Sequence, residues 1–144
     1  MNYKIIFVLT LLFLSTLPII SQAGDFDGSK PLICSVIKST ECTMMKGCHD
    51  VMAEEINLPR FLWVDVGKKV IQSNKSGENA RKSEIKRAEL IDNKLILQGA
   101  EQSREDIQDG FGWTMAIMQN TGYMVLSASG DFTVDVIFGA CTPQ

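Results

Sequence analysis

Residues 111–140 read FGWTMAIMQNTGYMVLSASGDFTVDVIFGA: three apolar runs set apart by two turn signals, Asn120-Thr121-Gly122 and Ser129-Gly130-Asp131. Phe111, Trp113, Met115 and Ile117 share one parity against Gly112, Thr114 and Ala116. Phe132, Val134, Val136 and Phe138 share one parity against Asp131, Thr133 and Asp135. A period of two over short runs bounded by Gly, Asn and Asp is the pattern of antiparallel hairpins, because alternate side chains of a strand point to opposite faces.

The same rhythm runs upstream. Turns are expected at Gly67-Lys68-Lys69, at residues 74–79, at Asp92-Asn93 and at Gln108-Asp109-Gly110. Between the turns lie candidate strands at residues 32–38, 60–66, 70–73, 84–91, 94–99, 111–119, 123–128 and 132–140. In the second of these Asp65 marks the outward parity, turning Leu62, Val64 and Val66 inward and Trp63 outward. Phe61, Trp63 and Tyr123 are thus expected outside or at a rim, near Pro59 and Arg60, where they would form a protein-binding patch unless other segments cover them. One short helix is expected over residues 50–56, with Asp50 as its N-cap and Pro59 preventing its extension. The expected fold is all-β: an antiparallel up-and-down meander closing into an eight-stranded barrel with one short helix.

The chain begins with an export signal. Lys4 is followed by an apolar stretch from Ile5 to Ile20, and Ser21-Gln22-Ala23 places small residues where a signal peptidase reads. Cleavage before Gly24 removes residues 1–23 and leaves residues 24–144 as one domain, periplasmic or secreted, where disulfides persist. Four cysteines, Cys34, Cys42, Cys48 and Cys141, allow three pairings. In an up-and-down barrel the first and last strands are neighbours, so Cys34–Cys141 would pin the closure and Cys42–Cys48 would staple a local loop.

Composition narrows the function. Losing Lys4 leaves 13 of the 14 basic residues against 17 acidic ones, and no basic stripe with interleaved aromatics is present, so nucleic acid is not an expected partner. No second apolar run approaches the length of a membrane helix, so no membrane association is expected after cleavage. No cofactor motif and no catalytic motif is present. Ser103, Ser127 and Ser129 lack a nucleophile elbow, His49 and Asp50 are sequence neighbours that do not face each other, and the acidic stretch at Glu101, Glu105, Asp106 and Asp109 lacks calcium-loop spacing. The expectation is therefore a protein without enzymatic activity.

Two binding readings remain. Leu62, Val64, Trp113, Met115, Ile117, Phe132, Val134, Val136 and Phe138 are the expected inward side chains, which either fill the core or line space for one small apolar ligand. Alternatively the stapled Cys42–Cys48 loop, carrying Met44, Met45 and Lys46, inserts into an exported protein partner such as a hydrolase. A third, lesser reading is copper binding through Met44, Met45, His49 and Met52, whose soft donors suit copper(I), although a Cys42–Cys48 disulfide would consume both thiols.

The segments Lys30-Pro31-Leu32-Ile33-Cys34, Asn57-Leu58-Pro59-Arg60-Phe61 and Phe138-Gly139-Ala140-Cys141-Thr142 together resemble a family of small exported bacterial proteins of unassigned function. The resemblance implies export and carries no activity. In architecture the chain also looks like a lipocalin-type barrel, but Gly112-Trp113 are adjacent and late, whereas lipocalins place Gly-x-Trp in the first strand. Ligand binding on that likeness is an inference from fold alone.

Overall fold

The structure, a computed structural model, describes residues 25–73, 80–102 and 110–144. The expected export signal at 1–23, the expected turn at 74–79, Ser103 and the acidic residues Glu105, Asp106 and Asp109 lie outside the described residues. Among the described residues nine strands follow in chain order: β1 (Leu32–Thr43), β2 (Gly47–Val51), β3 (Phe61–Asp65), β4 (Val70–Gln72), β5 (Lys82–Ile91), β6 (Lys94–Glu101), β7 (Phe111–Met118), β8 (Tyr123–Ser129) and β9 (Thr133–Pro143).

Every pairing is antiparallel, and β1 returns to pair with β9, so eight strands close in the order β1-β3-β4-β5-β6-β7-β8-β9. Closure removes the unpaired edges that an open sheet would expose. β1 is long enough to serve two neighbours on its other edge. Leu32 to Ser35 pair with β3, and Ser39 to Thr43 pair with β2, which forms a hairpin beyond the ring. Between these halves a bulge at Val36–Lys38 shifts the register and leaves Ile37 exposed, and the Val36 N–H donates to the Arg60 carbonyl at 2.9 Å.

Both disulfides join residues that stand directly opposite each other. Cys34 meets Cys141 across the β1–β9 seam, fully buried, and Cys42 meets Cys48 across the β1–β2 hairpin. The three segments quoted above all lie against β1, two of them at this seam. One starts β1, one leads into β3, whose Phe61 pairs with Ser35, and one ends β9.

The interior is filled unevenly. Leu32, Val64, Leu95, Leu97, Ile117 and Met124 are essentially inaccessible, and Phe26, in the segment before β1, packs against this end. Burying such aliphatic side chains contributes about 1.5–3 kcal/mol each. Trp113 bridges to the other end. Its indole lies over Gly99 of β6, where any Cβ would collide with the ring and with the Glu84 carbonyl, and its Nε1–H donates to Ser83 Oγ at 2.8 Å.

Two expectations are corrected. Phe132, Val134, Val136 and Phe138 do not face inward. Phe132, Val134 and Phe138 are exposed on the outer surface, and the inward set of β9 is Asp135, Ile137, Gly139 and Cys141. The seam decides this: burying Cys141 opposite Cys34 fixes the parity of every residue before it in β9. Ile137→Ala is therefore expected to cost about 2–5 kcal/mol, and Phe138→Ala about 1 kcal/mol or less, in urea unfolding. The reverse ranking would mean that the inward parity is the other one.

The helix expected at 50–56 is also absent. Asp50 lies in β2 opposite Thr40, and only Ala53–Ile56 wind into a 3-10 turn, begun at Met52, whose N–H donates to a Glu55 carboxylate oxygen at 2.7 Å. The cross-strand disulfide holds residues 47–51 extended, which leaves too little chain before Pro59 for an α-helix.

Candidate functional site

The barrel end away from Phe26 is open. There β3, β7, β8 and β9 contribute Leu62, Trp113, Met115, Leu126 and Ile137, and β4 contributes Ile71, to the apolar floor and walls of a cavity of about 280 Å³. Residues 56–59 cross one side of the mouth, and Gly130 and Thr133 mark the β8–β9 turn on the other. The cavity exists because, apart from Phe111, inward positions near the mouth are small or polar: Ser83, Ala128, Thr133 and Asp135 leave space that a second aliphatic layer would fill.

Each expected lining residue has a definite place. Leu62, Trp113 and Met115 line the cavity. Val64 and Ile117, one inward position further along the same strands, are buried in the packed end. Phe132, Val134, Val136 and Phe138 lie outside it, for the parity reason given above.

The rim carries charge. Arg81 holds Glu101 at 3.7 Å and donates to the Asn57 carbonyl at 3.0 Å, tying the start of β5 to the end of β6 and to the loop before β3. On the opposite wall Asp135 lines the cavity, and two more titratable side chains stand in register behind it on neighbouring strands. His49 of β2 is paired with Glu41 of β1, and Glu41 with Asp135 of β9. The His49 Nε2 lies 3.6 Å from a Glu41 carboxylate oxygen. Asp135 has no such partner: its Oδ1 is buried and makes no hydrogen bond. Burial, and secondarily the nearby Glu41 carboxylate, hold its pKa above the ordinary aspartate value of 3.8.

A raised carboxyl pKa means the folded state binds the proton more tightly than the unfolded chain. Ionised Asp135 therefore costs no stability below about pH 3.8, and its cost grows as pH rises from there through the folded-state pKa. Asp135→Asn is expected to raise the unfolding free energy at pH 7 relative to wild type, with the gap narrowing toward pH 3. Urea unfolding at the two pH values tests this, and a gap that widens on acidification would contradict it.

Sequence reasoning placed Asp135 on the outer face and did not single out Glu41 or Arg81. The missed signal was Cys141: a seam cysteine shares its parity with Asp135, six residues earlier.

The remaining candidates are dispersed. Met44 and Met45 stand at the tip of the β1–β2 hairpin, 82% and 95% exposed, while Met52 follows β2, about 10 Å along the chain from His49. Both cysteines nearby are bonded to each other, and among the described residues no group of three or more His, Cys, Asp or Glu side chains is gathered as a metal site. His49 and Asp50 face opposite ways, and Asp50 pairs with Lys38 at 2.9 Å and accepts from Thr40 Oγ1 at 3.0 Å. Phe61 and Tyr123 are exposed, and lie in one outward row with Ser35 and Ala140. Trp63 is half-buried on that outer face. Among the described residues no helix is long and apolar enough to cross a membrane.

No family model, curated protein or solved structure matches this chain.

Proposed function

We propose that this chain is an exported, non-catalytic binding protein that holds one small, mainly apolar molecule in the open end of its barrel. The observation that carries the reading is the cavity itself: about 280 Å³ of space, apolar at its floor and polar only at its rim, in a barrel whose other end is densely packed. Apolar lining with a few placed polar groups is the usual composition of a small-molecule site. Two disulfides, one buried in the closure seam, favour an oxidising compartment and so the export signal read at residues 1–23. On the three segments quoted above we group the chain with the small exported bacterial proteins they resemble.

Native mass spectrometry of protein recovered from its exported fraction, with a denatured control, tests the proposal. The control should lack residues 1–23 and weigh four hydrogens less than the reduced form. Extra mass held only under native conditions is the expected result. A bare mature mass that also takes up no small apolar molecule on titration would sink the reading.

A second reading rests on a separate observation. The hairpin stapled by Cys42–Cys48 presents Met44 and Met45 to solvent, as a rigid loop that enters a partner's cleft would. If that reading is right, inhibition of an exported hydrolase should be lost in a Met44→Ser, Met45→Ser variant and kept in Asp135→Asn.

A further inference from the structure

The wall of the cavity holds one anomaly. Across the sheet, Asp135 of β9, Ala128 of β8, Trp113 of β7 and Gly99 of β6 form a single row in register. Ala128, the residue between the carboxylate and the indole, is small, so the space above it is free. The row thus brackets a gap roughly two strand spacings wide, about 10 Å, with a carboxylate on one side and an indole on the other.

The charges around the gap are not equivalent. Arg81 is committed to Glu101 and to the Asn57 carbonyl. Lys82 is on the exposed parity of β5, next to inward Ser83, and reaches the cavity at its mouth. Glu41 has His49 beside it. Asp135 faces Glu41 from β1 and Ala128 from β8, and its buried Oδ1 accepts from no group. A carboxylate buried without a donor costs free energy, and an arriving cation with N–H donors offsets that cost. The approach of an anion to Asp135 would add a third negative charge beside Glu41 and Asp135.

Resting on the proposed ligand-binding role, we infer that the ligand class is a small primary amine with an apolar body, whose ammonium group pairs with Asp135 while the body lies on Trp113, Leu126 and Ile137. The size follows from the cavity: 280 Å³ is the liquid volume of about nine water-sized groups, so the whole ligand has on the order of nine non-hydrogen atoms.

Isothermal titration at pH 7 with three probes of one chain length, octylamine, octan-1-ol and octanoate, tests the inference. The amine is expected to bind about tenfold or more tighter than the alcohol, with octanoate weakest, since a charged hydrogen-bonded pair is favoured over a neutral contact by that order. In Asp135→Asn the ratio of amine to alcohol affinity should fall to about one, and in Asp135→Glu it should stay above one. Thermal melts of both variants establish that they are folded. Amine and alcohol binding within threefold of each other in wild type, or a preference unchanged in Asp135→Asn, would overturn the inference while leaving the cavity reading intact. Failure of all three probes to bind would overturn both.

Discussion

Gly99→Ala is expected to destabilise the barrel by about 2–4 kcal/mol, although it adds a single methyl group at a strand position. The new Cβ collides with the ring body of Trp113 and the backbone carbonyl of Glu84 on the neighbouring strand, neither of them the free end of a flexible side chain. Overpacking of this kind costs about 1–3 kcal/mol, and displacing the indole also breaks its bond to Ser83, worth about 1 kcal/mol more. Urea unfolding followed by tryptophan emission reads both consequences, a lower midpoint and a shift of emission toward that of a more exposed indole. Combining Gly99→Ala with Trp113→Leu should cost less than the sum of the two single changes, because the smaller side chain relieves the collision. Additive costs would mean that Gly99 matters for a reason other than the indole.

The second large effect concerns the seam. Replacing Cys34 and Cys141 together by alanine is expected to cost about 2–5 kcal/mol, the range for a native disulfide closing a long loop. The two residues are 107 apart in sequence and both are buried at the join of first and last strands. The paired replacement of Cys42 and Cys48 should cost about half as much or less, because their separation is only 6 and the hairpin lies beyond the closed ring. Scanning calorimetry of the two double variants compares them directly. Equal losses, or a larger loss for the hairpin pair, would show that the seam disulfide is not what secures closure.

Much of this architecture was legible because turn chemistry and strand alternation agree along the chain. The eight ring strands were placed by Gly, Asn and Asp signals, and closure by the positions of Cys34 and Cys141. What was misread shows where local pattern gives way to pairing. In β9 the most apolar parity, Phe132 to Phe138, faces out, since the parity is set at the far end of the strand by the seam and not by hydrophobicity. Cys141 and Phe138 cannot both point inward in a regular strand, so the sequence already held the conflict. The end of β1 and all of β2 were missed because Ser39 to Thr43 and Gly47 to Asp50 are polar, and their pairing becomes evident only from the cross-strand disulfide. The bulge at Val36–Lys38 leaves no readable mark, yet it rotates Ser39 and Glu41 inward.

The cavity was only half legible for the same reason. Its floor, Leu62, Trp113 and Met115, follows from alternation within single strands. Its carboxylate does not, because Asp135 lines it and meets Glu41, with His49 behind, only through the register of β9 with the remote β1–β2 hairpin.

The most direct measurement is a methyl-resolved NMR titration of the protein with octylamine and, separately, with octan-1-ol. Shift changes should appear at Leu62, Ile71, Met115, Leu126 and Ile137, and be absent at Val64, Leu95 and Ile117 in the packed end. Changes confined to the outward Val125 and Val134, or no change with either octylamine or octan-1-ol, would contradict a barrel that holds a ligand in its open end.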